Sequence, residues 1–387
     1  MERSNDRIRT THCGSLARPA ELLDLMRARL SGQSTDGDKY ESAVRQAVAA
    51  AVTKQAEAGL DVVSDGEQGK VGHATYIGER LSGFEARQSE GTKHDPLFAS
   101  EEESFPEYYQ QYFSASMLGG ALIPRAPLFC TGPVEYRGEE ALLRELQDLK
   151  SVLAGVAPQE AFVTSTAPSG VGSNEYYDTE QDYLFAVADA LHAEYRRIID
   201  EGFLLQIDDP FMTEVYSYPK TTIAEKRSTA ELYVEAINRA IKNLPAERIR
   251  FHTCYGINEG PRVHDIPLEE IIGLVLTVNA GAYSFESANP RHEHEYHLWE
   301  RVKLPEGKMI IPGVITHSTN VVEHPELIAE RLSRFAERVG RENVIAGADC
   351  GFSSQATYKP EVHPSVVWAK LRAMAEGAQL ATAQLWK

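Results

Sequence analysis

Short apolar runs alternating with longer amphipathic stretches set the strongest limit on what this chain can become. The apolar runs fall at residues 7–14, 61–64, 161–165, 204–208, 249–254, 282–286, 309–316 and 343–349. Runs of this length suit strands buried on both faces, as in a parallel sheet. Helical periodicity fills most of the intervals, at 20–30, 40–58, 180–200, 229–243, 325–339 and 365–380. A repeating strand–helix order calls for parallel strands joined by crossover helices. Eight such units in 387 residues predict an α/β fold, a (β/α)8 TIM barrel occupying residues 1–387 as a single domain.

The span 86–155 interrupts the repeat. It contains Gly91, Pro96, the acidic run of Glu101, Glu102 and Glu103, and the aromatic group Phe105, Tyr108, Tyr109, Tyr112 and Phe113. We expect an insertion between the second and third barrel strands, serving as a lid or an oligomer contact. A small subdomain packed on the side of the barrel is the equal alternative.

Barrel enzymes place their chemistry at the C-terminal ends of the strands. Those ends here carry Gly14-Ser15, Asp65-Gly66-Glu67, Asp208-Asp209, His252-Thr253-Cys254, Glu286, His317 and Asp349-Cys350. The recurrence across so many strands is an enzyme-like pattern. On a strand, residues i and i+2 face the same side, so His252 and Cys254 can reach one metal ion together. A lone His-x-Cys is a weak signal, but Glu286 and Cys350 end other strands and a barrel mouth would gather all four. Imidazole, thiolate and carboxylate around one ion suit tetrahedral zinc better than magnesium or calcium. Zinc would deprotonate a substrate thiol, whose thiolate is the nucleophile. Glu286, the hard ligand of the set, is the natural one to leave and open a coordination position.

A dense group at Arg291-His292-Glu293-His294-Glu295-Tyr296-His297 fits a surface loop or support for the ligands better than a second metal site. Cys130 reads as an ordinary small buried residue.

Charge narrows the partners. Lys and Arg total 39 against 57 Asp and Glu, a formal net charge of −18. With no Lys/Arg-rich run, neither nucleic acid nor an anionic membrane is expected as a partner. No apolar run is long enough to span a bilayer, residues 1–10 lack the apolar stretch of a secretory signal, and four cysteines are thinly spread. A cytoplasmic enzyme with small-molecule substrates is expected; its oligomeric state is left open.

Taken with Gln206-Ile207-Asp208-Asp209-Pro210, Ser284-Phe285-Glu286-Ser287, Pro312-Gly313-Val314-Ile315-Thr316-His317-Ser318 and Ala348-Asp349-Cys350-Gly351, these motifs carry a family resemblance. From Thr11 to about Ser353 the chain resembles the catalytic half of cobalamin-independent methionine synthase. The resemblance implies His252, Cys254, Glu286 and Cys350 as ligands of Zn2+. It implies Cys13, Gly14 and Ser15, with Glu67 and Asp208, as the site for an amino-acid thiol such as homocysteine. There the two acids would pair with the ammonium, and amides near Ser15 would meet the carboxylate. His317 matches the family's proton donor. The implied function is zinc-dependent methyl transfer to homocysteine or a similar thiol, from a methyl-folate, a methyl-corrinoid or another activated methyl donor.

The chain also departs from the family pattern. The tryptophan-containing folate segment after the third strand is replaced by Thr164-Ser165-Thr166-Ala167-Pro168-Ser169-Gly170, and the second acid of the Ile-Asp-Glu-Pro pattern is Asp209. Full-length members carry a second, N-terminal barrel that this sequence does not include. A thiol alkyltransferase of the lyase class, resembling epoxyalkane:coenzyme M transferase, is the alternative function, although its sulfonate thiol would call for cations where Glu67 and Asp208 stand. A metal-free decarboxylase resembling uroporphyrinogen decarboxylase, and a purely structural zinc protein, fit the residues less well.

Overall fold

The computed structural model describes residues 1–33, 36–87, 98–115, 122, 127–156, 158, 160–256 and 259–387. Gly91, Pro96 and the Phe113 side chain lie outside what is described. In chain order the strands are β1 (Arg9–Thr10), β2 (Val62–Ser64), β3 (Phe84–Ala86), β4 (Leu128–Cys130), β5 (Glu160–Thr166), β6 (Ser173–Asn174), β7 (Leu204–Asp208), β8 (Ile249–His252), β9 (Ala282–Phe285), β10 (Met309–Ile315) and β11 (Ile345–Ala348). Eight pair in the order β1-β11-β10-β9-β8-β7-β5-β2, every ladder parallel. The two ends of that sheet meet where the Asp61 amide donates to the Thr10 carbonyl at 3.1 Å and Thr11 Oγ1 to the Val62 carbonyl at 3.1 Å. This is the expected (β/α)8 barrel, nearly closed.

The eight apolar runs each become a barrel strand because both faces are covered, one by the barrel interior and one by helices. Every residue of β7 through β11 is buried. Crossovers run through Gly37–Glu57, Glu139–Leu153, Glu180–Asp200, Ile223–Ala240 and Leu268–Val275, then a 3-10 segment Glu293–Glu300, then Pro325–Val339, and the helix Pro364–Leu385 follows the last strand. Local chemistry starts them where it should: Thr179 accepts from the Asp182 amide, and Thr222 forms a capping box with Glu225.

The interior changes character from bottom to top. Val62, Phe162 and Leu204 on one side, and Ala282, Met309, Ile311 and Ile345 on the other, form the lowest layer, with Met1 packed against both groups. Above them the buried Arg250 lies over the Phe162 ring at 4.0 Å and donates to Thr11 Oγ1 (2.9 Å) and the His12 carbonyl (2.7 Å). From there the inward positions are polar, and they lead to the mouth.

The span 86–155 contains two different things. Glu139–Leu153 is a wall helix, burying Leu142, Leu146 and Leu149 between the helices Gly37–Glu57 and Glu180–Asp200. Between Ala86 and Leu128 the chain makes an excursion on a small sheet, where β3 pairs antiparallel with β4 and β4 parallel with β6. The helices of the excursion, Ala99–Ser104 and Pro106–Ala115, rest on loops at the C-terminal ends of the strands. Ser100 Oγ donates to the Ser217 carbonyl at 2.8 Å, Ser104 Oγ meets His264 Nε2 at 2.7 Å, and the Leu122 amide donates to the Ala356 carbonyl at 2.9 Å. Among the described residues, no helix is long and apolar enough to cross a membrane.

Candidate active site and metal centre

The register of adjacent strands sets Asp208, His252 and Ser284 side by side at the barrel mouth. Two residues past the end of β8 comes Cys254, and two past the end of β11 comes Cys350. Their sulfurs are 3.4 Å apart, and with a ring nitrogen of His252 the three ligand atoms all lie within 4.8 Å of one another. His252 Nδ1 meets Ser284 Oγ at 3.1 Å, with Cys13 Sγ at 3.8 Å, which leaves Nε2 buried and without a partner. The two thiols ionise against each other: the contact with Cys350 lowers Cys254, and the same contact raises Cys350. A divalent cation would remove that conflict by taking both as thiolates. Two sulfurs and an orphaned imidazole nitrogen therefore fit a soft, tetrahedral ion.

Glu286 stands in an adjoining group. Its Oε1 accepts the Tyr255 amide at 2.8 Å, while Oε2 accepts Asn289 Nδ2 at 2.9 Å and lies 2.8 Å from Arg262 Nη2. Its ligand atoms cluster with those of His317 and Asp349. Asp349 is committed to structure, since it accepts the amides of Ser287 and Ala288 at 2.7 Å and of Asn289 at 2.9 Å and so fixes the loop after β9. His317 is buried with no side-chain partner on either ring nitrogen, and burial, helped by the Arg262 cation and opposed by Asp349, Cys254 and a contact with the Gly256 backbone, pushes it down to about 4. That shift favours the neutral imidazole.

The expected substrate residues gather around two buried carboxylates. Glu67 has a backbone φ of 56°, a conformation rare for any residue but glycine. Its Oε1 accepts Thr164 Oγ1 at 3.1 Å, and Oε2 is buried without a partner. Burial raises its carboxyl, against the pull of Lys70 and Arg18. Asp208 accepts Gln206 Nε2 at 2.7 Å and is pushed up to about 7 by burial, with His252 opposing. Two neighbouring acids that both resist ionisation make a site short of one positive charge, which an ammonium would supply.

Gly14 makes room for this pair. At φ 118° a Cβ there would lie 2.6 Å from Thr164 Cγ2 and 3.1 Å from Glu67 Oε1, so no side chain fits. Ser15 ties the β1 loop to the β11 loop, its carbonyl accepting the Phe352 amide at 3.0 Å and its Oγ the Ser353 amide at 3.4 Å. Cys13 donates to the Ala348 carbonyl at 3.0 Å on the floor of the site.

Sequence reasoning passed over several residues that matter. The Arg18 guanidinium donates at 2.8 Å to the carbonyls of Glu67 and Lys70, bracing the loop that bears Glu67. Arg262 sits against Glu286, and its loop position in Gly260-Pro261-Arg262 carries no sequence signal for that contact. Within the His-rich group, His292 is buried, stacks on Tyr255 (4.1 Å between centroids) and bonds Asp265 at 3.1 Å and Glu295 at 2.9 Å. His297 is 57% exposed, meets Glu300 at 2.9 Å and lies against the Tyr296 ring. Cys130, buried in β4, donates to the Gly132 carbonyl at 3.3 Å and belongs to neither cluster of candidate ligands.

A family model described as the catalytic domain of cobalamin-independent synthase matches residues 8–94 and 162–379. The chain is 27% identical over 346 residues to a methionine synthase of Sulfolobus acidocaldarius, covering 88% of this chain and 85% of the relative. It is 24% identical over 382 residues to a methionine synthase of Saccharolobus solfataricus, covering 97% and 95%. Among solved structures, a B12-independent methionine synthase from a Shewanella species, in complex with selenomethionine, is similar with a TM-score of 0.71 at 19% identity, covering 98% of this chain and 99% of that one. That last similarity is one of fold.

Proposed function

The chain belongs to the cobalamin-independent methionine synthase family, matched through its catalytic domain, and from that premise we propose that it is a zinc-dependent methyltransferase acting on the thiol of homocysteine or a close analogue. The observation that carries the reading is the convergence of His252, Cys254 and Cys350 on one point of the barrel mouth, beside the cation-deficient pair Glu67 and Asp208. These three residues would hold zinc, with Glu286 as the fourth and exchangeable ligand. Bound zinc would supply the thiolate form of the substrate at neutral pH.

The chain's own residues orient the reactants. Glu67 and Asp208 take the substrate ammonium, and the Ser15 amide and hydroxyl take its carboxylate. Lys70 donates to Thr164 and Thr164 donates to Glu67, which keeps the carboxylate in place. His317 is the proton donor for the departing group; because burial holds its ring neutral, it must take up that proton as anionic charge enters the site. The methyl donor is a methyl-folate, a methyl-corrinoid or another activated methyl compound. The four free cysteines suit a reducing compartment such as the cytoplasm.

The test is product analysis. Zinc-loaded protein and homocysteine are incubated in parallel with methyl-folate, methylcobalamin and a short epoxyalkane. An S-methyl product from a methyl donor is expected. Turnover with the epoxide alone would overturn the proposal.

A further inference from the structure

Glu286 has a complete berth away from the three clustered ligands. Two donors serve its two oxygens there, the Tyr255 amide and the Asn289 side chain, and Arg262 Nη2 stands 2.8 Å from Oε2 as the counter-charge. Arg262 is buried, and its guanidinium spans two acids at once, with Nε 2.8 Å from Asp265 Oδ2 while Nη2 faces Glu286. A lysine point charge could not serve both in this way. Asp265 is itself fixed by His292. The backbone at Arg262 has a φ of 59°, so something must hold the residue in a conformation that it would not choose. What holds it is Glu101, on the excursion helix Ala99–Ser104, whose carboxylate accepts the amides of Arg262 (3.1 Å) and His264 (2.9 Å). A continuous chain of contacts thus leads from the excursion over the mouth to Glu286.

We propose that Arg262 is a positioning residue that receives the Glu286 carboxylate when it leaves the metal, and that Glu101 sets Arg262 in place for this. The proposal rests on the ligand set inferred for zinc. A carboxylate detached from a cation inside a buried site would otherwise be left as an unpaired charge, and the exchange would be opposed. Here the detached state has its hydrogen bonds and its counter-charge already built. Arg262 therefore weakens the hold of Glu286 on the metal and favours an open position for the incoming thiol. The excursion, through Glu101, gains a means of tuning that exchange without touching the substrate.

The experiment uses the full chain loaded with Co2+, whose visible bands report its ligands. Metal affinity is measured by chelator competition without thiol, and homocysteine is then titrated against the cobalt bands. For Arg262→Gln we expect metal affinity to rise and homocysteine affinity to fall, each by about tenfold, the scale of one charged hydrogen bond. Glu101→Gln keeps the guanidinium but loosens its anchorage, and should move both values the same way by a smaller factor. Arg262→Lys keeps the charge in the pocket and serves if the glutamine variant does not fold; it should fall between. Wild-type values for both affinities in the Arg262 variant, or a fall in metal affinity alongside that for homocysteine, would overturn the proposal. Glu286→Gln separates the two layers of inference. If its cobalt bands without thiol match those of wild type, Glu286 is not a ligand and the ligand set itself fails, whatever Arg262 does.

Discussion

Replacing Glu67 by Gln isolates the part of the site that selects an amino-acid thiol. In the free protein the change is mild, because the amide oxygen can still accept Thr164 Oγ1 and burial already works against the charge of the native carboxylate. The effect should therefore fall on binding rather than folding. A charge-assisted hydrogen bond to an ammonium contributes about 1.5–3 kcal/mol, so homocysteine should bind roughly 10- to 150-fold more weakly. Asp208→Asn should act similarly, and the double variant should lose less than the sum because both acids serve one ammonium. Calorimetry on metal-loaded protein measures the change, with the homocysteine analogue lacking its amino group as control. That analogue should bind both single variants as it binds wild type. The pH dependence has a defined sign. Burial has pushed Asp208 up to about 7, and an ammonium prefers the ionised form, so homocysteine affinity should fall as the pH drops below about 7. Asp208→Asn should lack that component of the slope. Unchanged homocysteine affinity in both single variants, or equal losses for the analogue without an ammonium, would refute the reasoning.

Cys254→Ser and Cys350→Ser should each lose most of the bound zinc on dialysis, whereas Cys130→Ser should keep it, as metal analysis of the purified variants will show. His317→Asn should retain zinc and homocysteine binding yet lose about 10²–10⁴-fold in methyl-transfer turnover, the usual share of a general acid; undiminished turnover would remove His317 from the mechanism. Against burial, Asp265 and Glu295 lift His292 from 6.5 to about 9. Because the folded value is the higher one, the stabilisation is full below about pH 6.5 and is lost as the pH rises through about 9. Denaturant melts at about pH 6 and about pH 10 should show wild type losing roughly 3 kcal/mol relative to His292→Gln.

The barrel was legible because its strands are buried on both faces, which leaves uninterrupted apolar runs such as Met309–Ile315. The small sheet was not, since Phe84–Ala86 and Ser173–Asn174 are short and partly exposed and carry no periodicity. Leu268–Val275 escaped notice as a helix because eight mostly apolar residues show neither a strand's alternation nor a long helical face. Composition set 86–155 apart, and so enclosed a wall helix whose Leu142, Leu146 and Leu149 do follow helical spacing. At the mouth, residues at strand ends were readable from the order of strands alone, as with His252 and Asp208. Arg262 was not, because its place depends on a loop held from outside by Glu101, a contact 161 residues away in sequence.

The stem of the excursion has a consequence for how such barrels can diverge. Ala86 and Leu128 are cross-strand partners, so the chain departs from the wall and rejoins it at nearly one point. A segment closed at its base behaves as an exchangeable cassette: lengthening, shortening or replacing it changes loop-closure entropy only slowly with length and leaves the strand order untouched. Selection can then remodel what covers the mouth, and with it which donor is admitted, while the thiol-holding floor stays fixed. A graft of a different 87–127 segment onto this stem should fold as the parent barrel does.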